Sequence, residues 1–309
     1  MSTRLHHDTS GPVFIINPTA GRGEAGKQIR AITQKLRDYG LIDPVWRYTQ
    51  ASGDAEKLAR EAATAGASLV VAVGGDGTLH EVVNGILGSE ATLGLIPFGT
   101  GNDFARAVGL FGDLDRACRT IAQGDTHRFD VGSIEGAGTG GLRHFLVLSG
   151  TGFDARTAQT VNEGIKYLAG APAYVWGAIL TAREFQPFDL TVTLDNGEVH
   201  KTRAMFVSMA NTATTGGGMK IAPEARPDDG LLDICLVREL GKVAMLWQLT
   251  QVFEGKHVNH PAVTMLRSSR ITLEADPPQP LLIDGEVCGM TPATVTVQRQ
   301  ILPMKVPAA

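Results

Sequence analysis

The amino-acid sequence predicts an α/β N-terminal domain with a parallel sheet, residues 12–131, followed by a largely antiparallel, β-rich C-terminal domain, residues 132–300. Three observations carry this reading. A chain of 309 residues exceeds the usual size of one hydrophobic core. Before Asp130, short apolar runs alternate with helical patterns, as they do along a parallel α/β sheet. After Asp130, strand-like runs follow one another with fewer helices between them, as in an antiparallel domain.

In chain order, PVFIIN reads as the first strand and residues 23–39 as the first helix; PVWRYT and residues 54–65 make the second pair. SLVVAVG, residues 78–87 and TLGLIPF complete the first domain. In the second, RHFLVLSG, DLTVTL, HKTRAMFVSMA, LLDICLV, RITLEA and TVTVQ read as strands, with helical insertions near residues 153–185 and 241–255. The boundary falls near Val131, and residues 301–309 form a C-terminal tail whose return to the first domain is left open. No internal repeat or low-complexity tract is visible.

Charged residues make up 19% and apolar ones 43%, and the net charge is −4, so the chain is an ordinary globular protein with no call for a nucleic acid partner. Cys118, Cys235 and Cys288 are odd in number and lack ligand spacing, which reads as reduced packing residues in a reducing compartment. The N-terminus lacks the basic-then-apolar order of a signal peptide, and no stretch approaches the roughly eighteen apolar residues of a membrane span. The expectation is a cytoplasmic protein that visits the inner face of the membrane without crossing it.

The first strand runs into NPTAGRGEAGK, which meets two phosphate patterns incompletely. Gly21, Gly23 and Gly26 fit G-x-G-x-x-G, but a dinucleotide site wants an acid at the end of the second strand, where Tyr48, Thr49 and Gln50 stand. Gly21, Gly26 and Lys27 fit a P-loop, yet Gln28 replaces the hydroxyl that would hold Mg²⁺. What remains is a glycine-rich strand-to-helix turn with backbone N–H groups at the sheet's carboxyl edge, a natural anion site.

The third strand ends in VVAVGGDGTLHEVVNGIL, where Gly74, Gly75 and Gly77 clear the space around Asp76. Thr78 and Glu81 have capping-box spacing, so a helix is expected to start at Thr78 with its positive end at the same crevice. A lone carboxylate among phosphate-binding donors implies a cation, which Mg²⁺ supplies and Asp76 holds directly or through water. The fourth strand repeats the device with Gly99, Thr100, Gly101, Asn102 and Asp103, although Asp103 taken alone reads as an N-cap. Two neighbouring glycine-acid turns are expected to build one cleft for a nucleotide triphosphate and its metal.

NPTAG, GGDGT and GTGND at three strand ends resemble the diacylglycerol kinase catalytic family, which includes sphingosine and ceramide kinases. The resemblance continues over nearly the whole chain in FDVG, GGGMKIAPEARPDDGLLD and IDGE. It implies a two-domain kinase of the NAD kinase/diacylglycerol kinase-like fold, with ATP in the cleft and a membrane lipid, diacylglycerol first, reaching in over the β domain. The implied nucleotide contacts are Asn17, Pro18, Thr19, Ala20, Gly21, Thr49, Gly74, Gly75, Asp76, Gly77, Thr78, Leu79, His80, Glu81, Thr100, Gly101, Asn102 and Asp103. A structural Mg²⁺ is implied at the backbone carbonyls of Arg226 and Leu231 and the carboxylate of Asp229, with an ordinary Asp-Gly turn as the alternative.

Glu286 matches the family's general base, which accepts the lipid hydroxyl's proton as it attacks the γ-phosphate; Asp76 is the rival for that role. The family has Asn where this chain has His80, which puts that nucleotide contact in doubt and leaves a surface histidine without a role as the alternative. His6, His7, His127 and His144 show no metal-ligand spacing. Residues 168–182, with Tyr174 and Trp176, are the candidate for peripheral membrane contact, against the commoner reading of buried core. Alternatives in acceptor are a sphingoid base, ceramide, phosphatidylglycerol or a soluble substrate as in NAD kinases; a non-catalytic nucleotide-dependent regulator is a further class. A homodimer is open.

Overall fold

The structure, a computed structural model, describes residues 11–164 and 171–308, without the side chains of 162–164 and 171–174. His6, His7, residues 168–170 and the Tyr174 side chain lie outside the described residues. The chain divides into two compact units. The first comprises the residues up to Gly99, Val108–Arg128 and those from Leu302 on; the second comprises Thr100–Ala107 and Phe129–Ile301.

The first unit alternates β1 (Val13–Ile16), α1 (Glu24–Asp38), β2 (Val45–Tyr48), α2 (Asp54–Thr64), β3 (Leu69–Gly74), α3 (Asp76–Ile86) and β4 (Thr92–Pro97). β1 and β3 are buried along their whole length, which is why they read as unbroken apolar runs. The order is β2-β1-β3-β4, every pair parallel, with Ile16 opposite Tyr48 and Val73, and Val73 opposite Ile96. This register lines up the carboxyl ends of all four strands. α1 buries Ala25, Ile32 and Leu36, one helical stripe, against Phe14, Ile16, Val71, Val73 and Ile96.

α4 (Asp103–Ala107) falls in the second unit and α5 (Leu114–Gln123) in the first. α5 is tied to α1 by Asp115, which accepts from Lys35 at 2.6 Å and from the Tyr39 hydroxyl at 2.7 Å.

The second unit holds β5 (Asp125–Ala137) from Phe129 on, then β6 (Arg143–Phe145), β7 (Leu148–Gly152), α6 (Phe153–Gly164), α7 (Ala171–Glu184), β8 (Phe188–Leu194), β9 (Val199–Ala210) and β10 (Leu232–Arg238). It continues through α8 (Lys242–Val252), β11 (Val263–Ser268), β12 (Arg270–Asp276), β13 (Pro280–Ile283) and most of β14 (Glu286–Val306). The order is β11-β10-β9-β7-β13-β14, and the registered pairs are antiparallel. The end of β14 belongs to the first unit, where Met304 pairs in parallel with Leu93 of β4.

Two local expectations are corrected. The helix after β3 starts at Asp76 rather than Thr78, with extended Gly75 at its N-cap and no capping side chain. Thr78 is buried instead, and Glu81 turns to the neighbouring helix α2, accepting the N–H groups of Gly53 and Ala55 at 2.9 Å each. Residues 100–107 group with the second unit because Asp103 and Phe104 are engaged there, Phe104 edge-on to Phe129 at 5.7 Å. The units part between Arg128 and Phe129, inside β5 and near the expected Val131.

One buried acid in the second unit has a measurable consequence. Asp154, at the start of α6, accepts from the Ser208 hydroxyl and the Ala155 N–H, each at 2.7 Å. Burial pushes its carboxyl up to about 6. A raised carboxyl contributes stability while neutral, in full below the unfolded value near 3.8, and this is lost as pH rises through 6. Asp154→Asn, neutral at every pH, is therefore expected to gain stability over the parent by about 2 kcal/mol more at pH ~7.5 than at pH ~4.5. Urea unfolding at both pH values checks this, and a pH-independent difference between the two proteins would rule it out.

Candidate active site

In the first unit, three glycine-bearing turns meet at the carboxyl edge of the sheet. After β1, the Asn17 carboxamide oxygen accepts the Thr19 N–H at 3.0 Å and its hydroxyl at 2.8 Å, which coils the chain back on itself. Gly21, Arg22 and Gly23 then follow with positive φ. The N–H groups of Glu24, Ala25 and Gly26 bond back to Gly21, Ala20 and Pro18, whereas those of Gly21 and Arg22 have no acceptor among the described residues. Thr49 follows β2 and is held by its N–H to the Ile16 carbonyl at 3.0 Å.

The turn after β1 meets the turn after β4: a Cβ on Gly21 would lie 2.6 Å from the Phe98 carbonyl oxygen. The turn after β3 meets it too, since a Cβ on Gly75 would lie 3.0 Å from the Gly99 Cα. Gly74 packs against Thr78. Two of the three glycines around Asp76 therefore serve packing, contrary to the expectation that they only clear space; Gly77 is the one that faces an open surrounding. Asp76 stands half-buried in the first turn of α3, where the helix dipole favours a carboxylate. Leu79 and His80 are buried on the same helix; His80 is thus no surface residue, and its ring lies 3.4 Å from the Asn84 amide.

In the second unit the acids of the motifs hold backbone. Asp103 is buried and accepts the N–H groups of Gly217 and Gly218 at 2.8 and 3.0 Å. Asn102 takes a left-handed φ of 51° and is buried, and the Gly101 carbonyl accepts from Arg106 at 3.3 Å. Asp130 of FDVG accepts from Gly230 at 2.6 Å and from Gln300 at 2.7 Å.

The oxygen donors implied at Arg226, Asp229 and Leu231 suit a hard cation in kind. Asp229, however, accepts the Leu231 N–H at 3.1 Å and pairs with Arg267, which also reaches Asp233 at 3.4 Å. A guanidinium already meets the negative charge of this turn. Among the described residues no group of three or more His, Cys, Asp or Glu side chains is placed to hold a metal ion.

Glu286 is exposed at the start of β14, where its backbone pairs with Ile283, and its side chain makes no hydrogen bond or ion pair among the described residues. Of the cysteines, Cys118 and Cys235 are buried thiols, pushed up to about 12 by burial, while Cys288 is only half-buried.

Residues 12–134 match the diacylglycerol kinase catalytic domain and residues 148–306 the YegS C-terminal NAD kinase beta sandwich-like domain. The diacylglycerol kinase of Bacillus subtilis is 30% identical over 282 residues, 90% of either chain. The chain belongs to the diacylglycerol kinase catalytic family. A protein named "Probable lipid kinase YegS-like" from Chromohalobacter salexigens is 32% identical over 87% of this chain and 85% of its own. The crystal structure of a diacylglycerol kinase from Bacillus anthracis superposes with a TM-score of 0.74 at 25% identity, covering 96% of this chain and 97% of that one. Membership of the diacylglycerol kinase catalytic family makes the protein a phosphotransferase with ATP as phosphate donor. It also fits the observed architecture, an N-terminal α/β unit followed by a β-rich one.

Sequence reasoning missed two side chains beside the family motifs. Asn211, fully buried, donates from its amide to the carbonyls of Asp130 at 3.1 Å and Leu146 at 2.9 Å. Asp284, the acid of IDGE, accepts three backbone N–H groups. The Asp-Gly pair was the available signal for the second, since it marks a two-residue hairpin turn.

Proposed function

We propose that the protein transfers the ATP γ-phosphate to the hydroxyl of a membrane lipid, with diacylglycerol as acceptor and phosphatidic acid as product. The observation that carries this is the meeting of three strand-end turns beside Asp76, which offers backbone N–H donors and one carboxylate to a triphosphate. Relatives over nine-tenths of the chain bear the name diacylglycerol kinase, which supports the acceptor. We assign the Gly21–Arg22 turn to the phosphates and Asp76 to the nucleotide's Mg²⁺. That ion, when bound, neutralises charge on the β- and γ-phosphate oxygens. Glu286 accepts the lipid hydroxyl's proton as the new O–P bond forms and the bond to the β-phosphate oxygen breaks, releasing ADP.

A lipid acceptor also fits the surface of the second unit. α7 and α8 pack on each other and expose Trp176 to 50%, Trp247 to 64% and Val243 to 84%. Tryptophan favours the headgroup layer of a bilayer. No helix among the described residues is long and apolar enough to cross a membrane.

The test is transfer from labelled ATP, with Mg²⁺ or EDTA, to diacylglycerol, sphingoid base, ceramide and phosphatidylglycerol in mixed micelles, and to NAD⁺ without detergent. Labelled phosphatidic acid formed only with Mg²⁺ is expected. Label on NAD⁺ with none on any lipid would replace this reading by the soluble-substrate one.

A further inference from the structure

We infer that Asp284 is a positioning residue that holds Glu286 in its catalytic place, an assignment that rests on the reading of Glu286 as general base. The two are joined by one tight turn. Ile283 of β13 pairs with Glu286 of β14, so Asp284 and Gly285 alone form the loop of the hairpin. Both have positive φ, 45° and 92°, the backbone of the primed turn that fits the twist of paired strands. Asp tolerates that region because its short side chain can bond locally. Here the side chain does more.

One Asp284 oxygen accepts the Leu146 N–H at 2.8 Å, and the other accepts those of Val147 and Leu148 at 2.9 and 3.0 Å. The Asp284 N–H returns a bond to the Leu148 carbonyl at 2.9 Å. The segment that receives the carboxylate is itself anchored on its carbonyl side: Asn211 donates from its amide to Leu146 and from its backbone to Val147, both at 2.9 Å. Asn211 is completely buried and also binds the Asp130 carbonyl. The turn that carries Glu286 is thus tied to a fixed strand edge, whereas the Glu286 side chain has no hydrogen bond of its own to hold it. Its placement depends on the backbone that Asp284 secures.

Three N–H donors need two acceptor oxygens, which a carboxylate has and an amide lacks. Asp284→Asn keeps the left-handed preference and the shape of the side chain. It can retain the bonds to Val147 and Leu148 but turns an NH₂ toward the Leu146 N–H. The experiment is a double-mutant cycle in the full chain, with ATP and diacylglycerol micelles, comparing wild type, Asp284→Asn, Glu286→Gln and the pair. Asp284→Asn is expected to lower kcat roughly 10- to 100-fold, the scale of misplacing a reacting group by about an ångström. KM for ATP should stay within about twofold, because the phosphate-binding turns are untouched. In the Glu286→Gln background the same change should cost nearly nothing more.

Gly285→Ala strains the same turn at φ 92° without removing a hydrogen bond or meeting a neighbour. It serves if Asp284→Asn does not fold, and it should show the same kcat loss and the same dependence on Glu286. A normal kcat in the folded turn variants, or an equal loss with and without Glu286, overturns the positioning role. Normal turnover by Glu286→Gln overturns the base assignment itself, and the coupling with it.

Discussion

Glu286→Gln is expected to lower lipid phosphorylation by roughly 10² to 10⁴ while leaving nucleotide affinity within a few-fold, the pattern of a lost general base. Glutamine keeps the size of the side chain and removes only its ability to take the acceptor's proton. The Glu286 side chain is exposed and makes no hydrogen bond or ion pair among the described residues, so its replacement should not unfold the chain. Calorimetric titration with nucleotide and radiolabelled lipid product, measured on the same folded preparation, separate the two quantities. Normal lipid turnover in Glu286→Gln, or a collapse of nucleotide binding, would remove Glu286 from the base role.

Asp76→Asn is expected to damage both quantities, with turnover falling by at least roughly 10²-fold, the scale of losing a preorganised charge. Asp76 sits in the first turn of α3, beside the turns that carry Gly21 and Gly99. An amide there keeps the helix start but binds a hard cation poorly. The contrast between the two variants also decides between them as base. If Asp76→Asn alone lost turnover at unchanged nucleotide affinity, Asp76 rather than Glu286 would be the base. Wild-type turnover in a folded Asp76→Asn protein would exclude Asp76 from the chemistry.

Much of the fold was legible because the signals are local. The unbroken apolar runs of β1 and β3 and the striped pattern of α1 report burial on two faces or on one, which depends on neighbours within a few residues. The glycine-acid turns after β3 and β4 were legible for the same reason. Misreadings arose where a residue had two local uses and a distant partner chose between them. Thr78 and Glu81 have the spacing of a capping box, yet the Glu81 carboxylate is worth more across the gap to α2, where two helix-start N–H groups lack acceptors. Asp103 taken alone reads as an N-cap, and its acceptance of the Gly217 and Gly218 N–H groups, far along the chain, is beyond what the local string records.

The sequence by itself determined the alternation of strands and helices from β1 to β4, the edge at which the glycine turns gather and the candidate Asp76. Each follows from periodicity, turn chemistry or a short motif, whereas Glu286 came in through the resemblance to the family. Only the tertiary structure decided which acids stand toward solvent and which hold backbone. Asp130 meets Gly230 and Gln300, Asp229 meets Arg267, and Asp284 meets Leu146, Val147 and Leu148. These partners are far apart along the chain, and no short string records them. A buried N–H must find an acceptor, and strand pairing sets which acid is within reach.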